Sequence, residues 1–362
     1  MIHLYKDIEK LMAKIEEKWQ KCQYSTDLFP EVVWQETEGF DLSALGEVSN
    51  QMKLLELPGV RFQQHRSTFS DFHFQIFHNG RFMIEILNWW GGHVNVHDHD
   101  FSAVQFQLKG DALNVVYDFN KNEEYGALQF GELKVRQGEF WKEGGRSLVR
   151  PGDVDPHSVF HLGSPTTSLL IRTIPTPRYG AQSNYFPTLA SHYYVANDIQ
   201  RKKLTGLGLL ARSSPTEFRS CLNGFLSSQS YSENLFMLIK LGPSLFEEQF
   251  VDIPAAYAER GSHEAKIIES VVFNNAIDFF KTKANEIEGL NEKEKLAVFV
   301  LAASHGRQNF DKISADLKNA DIMLDAQVNL KAFCAKLESD DQHLALQYLN
   351  IFDLADLINE KI

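Results

Sequence analysis

The sequence is poor in cysteine and has no long apolar run, and each absence excludes a class of protein. Its three cysteines, Cys22, Cys221 and Cys334, are far apart and odd in number, so neither a disulfide framework nor a CxxC metal site is expected. This usage is typical of a reducing compartment, and a cytoplasmic location is predicted. The most apolar segment, residues 296–303, is far too short to span a bilayer.

Positive charge is also scarce. The chain carries 36 Lys and Arg residues against 48 Asp and Glu residues, a formal net charge of −12. Such a surface repels phosphate backbones and anionic lipids, so neither nucleic acid nor a membrane is expected as a partner. The N-terminal segment is charged from Lys6 onward and has no apolar stretch, which argues against a secretory signal.

Aromatic residues, by contrast, are plentiful. The 27 Phe, 11 Tyr and 5 Trp residues favour a β-rich core or an aromatic-lined pocket. At 362 residues the chain is long enough for two or three domains. No low-complexity segment and no convincing repeat is present, so a solenoid is not predicted.

The hydropathy pattern divides the chain into three regions. Apolar residues at helical spacing predict a first helix around residues 8–19 and a short second helix over residues 42–55. From Gly59 to about Tyr194, alternating segments separated by turn residues predict strands of a sandwich or barrel. From Asn197 onward the segments are amphipathic helices. The expected domains are residues 1–195, which combine N-terminal helices and a β-barrel, and residues 196–362, which are all-α.

Three histidines, His93, His97 and His99, crowd into seven positions of a chain that has only 13 histidines. On a strand, His97 and His99 point to the same face and form a two-residue metal clamp, while Asp98 points away. His157 follows two predicted turns, is expected to open a later strand, and can face the pair across a barrel. His93 precedes the clamp and is expected to be exposed. The alternative interpretation is a polar turn that binds no ion.

The order of these residues resembles the two sequence motifs of the cupin superfamily. The matching residues are Gly91, His97-x-His99 and Gly110 for the first motif, and Gly145, Pro151-Gly152 and His157 for the second. The glutamate that usually follows HxH in cupins is absent, because Ala103 and Val104 stand there. The resemblance implies an α+β fold with a cupin-type β-barrel, or jelly roll. It also implies a metal site of three histidines, His97, His99 and His157.

Residues 79–110 are further similar to the core of the cysteine dioxygenase, or thiol dioxygenase, family. The shared features are the Asn-Gly turn, Arg81-Phe82, an apolar strand ending in Trp89, and His97-Asp98-His99. Three recognition positions depart from that family. Its carboxylate-binding arginine falls on Phe72, its crosslinked cysteine falls near Val104, and its Ser-x-His-x-Tyr motif falls on residues 168–172, where only Ser168 is kept. Cysteine itself is therefore a doubtful substrate.

Arg172 stands at the tyrosine position and is the candidate cation of the substrate pocket, since a guanidinium binds a carboxylate through two hydrogen bonds. Glu85 is the one internal acid that could pair with it, and such a pair would deprive an anionic substrate of its anchor. An exposed Glu85 is the favoured interpretation. Trp89 is assigned either to the pocket wall or to the core.

Two further residues are predicted to lie near the metal ligands without binding the ion. His161 shares a strand face with His157 but lies about 13 Å further along, at roughly 3.3 Å per residue. It is therefore assigned, with Ser168 and Glu85, to the surroundings of the site. No catalytic residue beyond the metal ligands is predicted.

Three functional hypotheses follow from this ligand set. Neutral imidazoles leave the full charge on a divalent ion and keep coordination positions open, so Fe(II) is the expected cofactor, with Zn, Ni or Mn as alternatives. The first hypothesis is a mononuclear non-haem Fe(II) dioxygenase-like enzyme that brings O2 together with a small, anionic or thiol-bearing molecule. The second is a zinc, nickel or manganese cupin that acts as a hydrolase or isomerase. The third is a non-enzymatic ligand-sensing cupin, and the helical domain could also support a homo-oligomer.

Overall fold

The computed structural model describes residues 2–65, 67, 69–91, 93–192, 197–246, 250 and 252–358. The chain forms two compact units. The barrel unit contains residues 1–116, 136–182 and 313–324, and the helical unit contains residues 117–135, 183–312 and 325–362. The predicted domain boundary at residues 195 and 196 lies outside the described residues and stays a prediction.

The N-terminal region is helical because its apolar residues recur at helical spacing. Its helices are α1 (Ile2–Lys21), α2 (Phe29–Glu36), α3 (Val48–Leu54) and α4 (Pro58–Arg61). Helix α1 buries the predicted stripe of Ile8, Leu11, Met12, Ile15 and Trp19. The helix predicted over residues 42–55 is shorter than expected, because the extended backbone of Glu47 separates a 3-10 turn at Ser43–Gly46 from α3.

The central region forms the predicted strands. They are β1 (Phe72–His78), β2 (Phe82–Trp89), β3 (His93–His99), β4 (Ala103–Lys109), β5 (Ala112–Tyr125), β6 (Leu128–Trp141), β7 (Arg146–Val149), β8 (Gly152–His161), β9 (Thr166–Thr173), β10 (Ser183–Phe186) and β11 (Leu189–His192). Strands β1 and β2 are joined at the predicted Asn79-Gly80 turn. Gly80 has a φ of +86°, which a residue without a Cβ adopts readily, and the Asn79 side chain accepts the backbone N–H of Phe82.

Strands β2 to β9 are divided between two sheets, and of these consecutive strands β5 and β6 lie in the same sheet. The first sheet has the order β1-β2-β9-β4-β7, and the second contains β6-β5-β8-β3 in that order. Two four-stranded sheets with the orders β2-β9-β4-β7 and β3-β8-β5-β6 make a jelly roll, the double-sheet architecture of cupins. The predicted fold class, an α+β chain with a cupin-type β-barrel between N-terminal helices and a C-terminal helical region, is confirmed.

Strand β2 is buried on both faces, and its two faces pack in different places. Phe82, Ile84 and Ile86 join the large apolar core that the N-terminal helices share with the first sheet. Leu87 and Trp89 point the other way, into a smaller cluster inside the barrel. Successive residues of a strand alternate in direction, so this parity also places Glu85 on the interior face.

The helical unit is built around a second apolar core. Its long elements begin with α5 (Asp198–Ser213), α6 (Pro215–Ser228), α7 (Tyr231–Leu241), α8 (Asp252–Ala258) and α9 (Ser262–Glu286). They continue with α10 (Glu292–Ser304), α11 (Arg307–Asn319, of which residues 313–319 lie in the barrel unit), α12 (Ala326–Cys334) and α13 (Ser339–Ile351). The core contains Phe218, Leu238, Phe250 and Val271. Among the described residues, no helix combines the length and the apolar character needed to cross a membrane.

Candidate metal centre

The three predicted metal ligands come together on two neighbouring strands. In the jelly roll, β3 pairs with β8, and the pairing sets His97 directly opposite His157. His99 lies two residues further along β3, on the same side as His97. The ligand atoms of the three imidazoles lie within 4.8 Å of one another, and the ring centroids are 4.7 to 5.0 Å apart.

Two details of the prediction need correction. His157 does not open its strand, because β8 begins at Gly152 and continues through Asp155-Pro156. It also does not face the clamp across the barrel, because it belongs to the adjacent strand. Because β3 and β8 are hydrogen-bonded neighbours, the three histidines lie close together without having to span the barrel interior. His93 is the first residue of β3, and its side chain lies outside the described residues.

The environment of the three histidines keeps them neutral. Each is almost fully buried, with 2% to 7% of its surface exposed. Burial lowers the pKa of His97 to about 4 and holds the pKa values of His99 and His157 well below the usual range. A neutral imidazole has a lone pair to offer, so the cluster is ready to bind a metal ion near pH 7.

Hydrogen bonds orient two of the three rings. The Nδ1 atom of His97 lies 2.8 Å from the carbonyl of Asn95, which can only accept, so Nδ1 carries the proton. The Nδ1 atom of His157 lies 2.8 Å from the side-chain oxygen of Asn114. In both rings Nε2 is left with the lone pair. The Nδ1 atom of His99 is buried and has no hydrogen-bond partner among the described residues.

A chain of polar side chains behind His157 was not found by sequence reasoning. Asn114 donates from Nδ2 to the carboxylate of Glu139 at 3.1 Å, and the indole N–H of Trp141 donates to the same oxygen at 3.1 Å. Because the amide nitrogen of Asn114 faces Glu139, its oxygen faces His157 and fixes the tautomer of that ring. The one signal in the sequence was a polar residue, Asn114, inside the apolar run of β5.

We expect Asn114→Ala to weaken metal binding by roughly 10- to 100-fold, because ligand orientation by an outer hydrogen bond has effects of this size. Competition with a chelator of known affinity measures the change. Asn88→Ala is the matched control, since Asn88 is also a buried amide of the barrel but bonds to Gln51 and Thr167. Equal affinities in the Asn114 variant and the wild type would contradict the positioning role.

A small cavity of about 40 Å³ borders the three histidines. This volume is large enough to hold a water molecule. Trp89, His161 and Ser168 lie in its wall, as does Leu170. Trp89 and His161 stack with ring centroids 4.8 Å apart and planes 18° apart. His161 is not a member of the described ligand cluster, and the supporting roles assigned to His161 and Ser168 stay predictions.

A larger cleft of about 660 Å³ also reaches the site. His99 and His157 line it, whereas the wall does not include His97. Most of the other wall residues, including Trp34, Trp141 and Arg146, lie on helix α2 and on strands β6 and β7. This volume falls in the range of small-molecule sites, and sequence reasoning did not predict the cleft.

Arg172 and Glu85 pair with each other. Arg172 donates from Nε and Nη2 to the two carboxylate oxygens of Glu85, at 2.5 and 3.2 Å, and its guanidinium lies over the ring of Phe101. His73 contacts the same carboxylate at 3.0 Å. The expectation of an exposed Glu85 is wrong, because only 5% of its side chain is exposed and interior parity buries it. Substrate binding by Arg172 stays a prediction, and it would require this pair to open.

Comparisons with known proteins add little to this description. The chain matches no family model, and no curated protein is similar to it in sequence. Similar solved structures include the DMSP lyase DddQ from Ruegeria pomeroyi (13% identity, TM-score 0.23, 35% of this chain and 59% of that one). Another is the Lactobacillus farciminis oxalate decarboxylase formate complex (15% identity, TM-score 0.24, 32% of each chain). A third is an uncharacterized conserved protein with a double-stranded β-helix domain from Klebsiella pneumoniae (12% identity, TM-score 0.22, 37% of this chain and 95% of that one).

The aligned region spans less than two thirds of the first two of these structures. At such identities and TM-scores the likeness carries no argument about activity. The assignment of a cupin-type barrel therefore depends on the strand order and on the two histidine-bearing strands, β3 and β8.

Proposed function

We propose that the barrel unit is a mononuclear metal centre with Fe(II) bound by His97, His99 and His157. We further propose that it is a dioxygenase-like enzyme acting on a small molecule together with O2. The observation that carries the proposal is the set of three buried, neutral imidazoles within 4.8 Å of one another. Among the described residues, the cluster includes no carboxylate and no thiolate.

The donor set favours this reading on chemical grounds. Three imidazoles are suitable ligands for Fe(II), Ni, Cu or Zn and poor ones for Mg or Ca, which prefer oxygen. When bound, an iron ion would supply a positive charge and open coordination positions at which a substrate and O2 can meet. The protein's own contribution is the orientation of the rings by Asn95 and Asn114 and the exclusion of bulk water by burial.

The two cavities fit a reaction between a large and a very small partner. The cleft of about 660 Å³ has room for an organic substrate, and the smaller cavity of about 40 Å³ has room for a molecule the size of water or O2. Both border His99 and His157, so two reactants of unequal size could be held next to the same ligands. This arrangement supports a two-substrate reaction over simple ligand sensing.

Metal identity and open coordination can be tested without a known substrate. The full-length protein is reconstituted anaerobically with Fe(II), and bound metal is measured by elemental analysis. Nitric oxide is then added as a probe of open positions and followed by electron paramagnetic resonance. We expect one iron per chain and a signal from a high-spin iron–nitrosyl centre. If the protein instead purifies with tightly bound zinc that does not exchange for iron, the hydrolase or isomerase hypothesis would be favoured. Failure to bind any metal would favour the third hypothesis, a non-enzymatic ligand-sensing protein.

Oxygen uptake provides the second part of the test. Fe(II)-loaded protein is screened in an oxygen electrode against a panel of small carboxylates and thiols, with the Zn-loaded protein as control. We expect at least one compound to stimulate uptake in the iron form alone. Uptake that is equal in the zinc form would contradict iron-dependent dioxygenation.

A further inference from the structure

The wall of the cleft carries three arginines, and two of them are already paired. Arg136 and Arg150 both bond to the carboxylate of Asp155, and Arg150 does so through Nε at 2.5 Å and Nη2 at 2.7 Å. Their hydrogen-bonding capacity toward a ligand is therefore reduced. Asp155 thus forms ion pairs with both guanidinium groups.

Arg146 differs from these two arginines. It is half-buried, and its guanidinium lies 3.8 Å from the ring centroid of Trp34. Its Nη1 atom donates to the Trp34 carbonyl at 2.9 Å. Among the described residues, no carboxylate lies within ion-pair distance of it. A guanidinium that is stacked, held by one hydrogen bond and left with free donors is oriented for a ligand.

The carboxylates of the cleft wall do not compete for Arg146 in this structure. Glu139 accepts hydrogen bonds from Asn114 and Trp141, and Asp155 is engaged with the other two arginines. Glu31 is exposed on α2 and forms no ion pair among the described residues. The protein has a net charge of −12, so an arginine without a counter-ion beside a cleft provides a local positive charge that attracts anions.

We propose that Arg146 binds a carboxylate group of the substrate in the cleft, and that the rest of the substrate extends toward His99 and His157. This proposal rests on the proposed function, and under it the substrate is a small organic carboxylate. Strand β7 is an edge strand of the first sheet, and Arg146 is its first residue. In this proposal Arg146 takes the anchoring role that the sequence predicted for Arg172, whose guanidinium is paired with Glu85.

The planar guanidinium suits a carboxylate for geometric reasons. Two parallel N–H groups match the two oxygens, and stacking on Trp34 holds the plane before the ligand arrives. An ammonium group has no pair of parallel N–H groups in one plane. Substitution by lysine therefore keeps the charge and removes the paired hydrogen bonds.

Binding is measured with para-fluorobenzoate as the probe and fluorine NMR as the readout, with para-fluorobenzamide as the neutral counterpart. The full-length protein is used metal-free and again loaded with Fe(II). In the metal-free protein no ion can hold the carboxylate, so this arm tests Arg146 even if the metal proposal fails. We expect the benzoate to bind and the benzamide to bind at least about tenfold more weakly, since charge-assisted pairs are the stronger ones.

Arg146→Gln should weaken benzoate binding about tenfold or more, and Arg146→Lys should recover only part of that loss. Arg150→Gln is the matched control, because it also removes one arginine from the cleft but one that Asp155 already holds, and it should change affinity less than about twofold. Circular dichroism melting shows whether each variant folds, and the lysine variant keeps the test valid if glutamine disturbs the contact with Trp34.

Two outcomes would overturn the inference. One is unchanged benzoate affinity in folded Arg146→Gln or Arg146→Lys protein. The other is an equal loss in Arg150→Gln, which would mean that general positive potential and not a specific anchor attracts the probe. Failure of the iron loading alone would contradict the proposed function and leave the carboxylate site standing.

Discussion

Replacement of His97, His99 or His157 by alanine is expected to abolish stoichiometric metal binding. Each imidazole supplies one of three ligands, and two remaining histidines cannot complete a stable site for a divalent ion. Elemental analysis of the purified and reconstituted variants measures the loss. The barrel should remain folded, because its apolar cores and paired sheets do not depend on an ion, unlike those of a small zinc domain.

His161→Ala is the matched control for these three variants. His161 is also buried in the barrel and borders the same cavity, but it stacks on Trp89 and is not a member of the ligand cluster. It should therefore keep most of the metal. Full iron occupancy in the His97→Ala protein would refute the three-histidine site, and complete loss in His161→Ala would show a fourth essential residue.

The second large effect concerns Glu85, which holds Arg172 and His73 inside the barrel unit. We expect Glu85→Gln to lower the free energy of unfolding by about 3 kcal/mol at neutral pH, because it leaves the largely buried guanidinium of Arg172 without its counter-charge. Denaturant unfolding of variant and wild type measures the difference. Glu56→Gln is the matched control, since its pair with Arg61 is exposed and should contribute less than about 1 kcal/mol.

The cost of Glu85→Gln should depend on pH with a known sign. Burial by itself raises the pKa of Glu85, but the hydrogen bonds from His73 and Arg172 outweigh it and lower the pKa from 4.5 to about 2. A carboxyl group whose pKa is lower in the folded state stabilises fully above the unfolded value and loses that contribution as pH falls. The difference between wild type and variant should thus shrink between about pH 4.5 and pH 2. A difference that is constant over this range would contradict the ion pair.

Much of the barrel could be predicted from the sequence because strand patterns are local. Alternation of apolar and polar residues, the Asn79-Gly80 turn and the HxH spacing each depend on residues a few positions apart. The parity of β2 likewise assigned Glu85 to the side of Leu87 and Trp89. The prediction of an exposed Glu85 was wrong because carboxylates are mostly exposed in proteins. Here Arg172 and His73, on the two neighbouring strands, both bond to the carboxylate and compensate its burial.

The sequence by itself determined the order of the elements, the fold class and the three histidines that could bind a metal. The tertiary structure decided that His157 lies opposite His97 on an adjacent strand, because sheet register depends on pairing between distant segments. It also decided that Asn114 and Glu139 support His157, that Glu85 occupies Arg172, and that Arg146 is left free beside a cleft. Each of these pairings depends on which charged and polar side chains the fold brings within hydrogen-bond distance of each other. Local periodicity carries no information about that competition, since the partners are many residues apart in the chain.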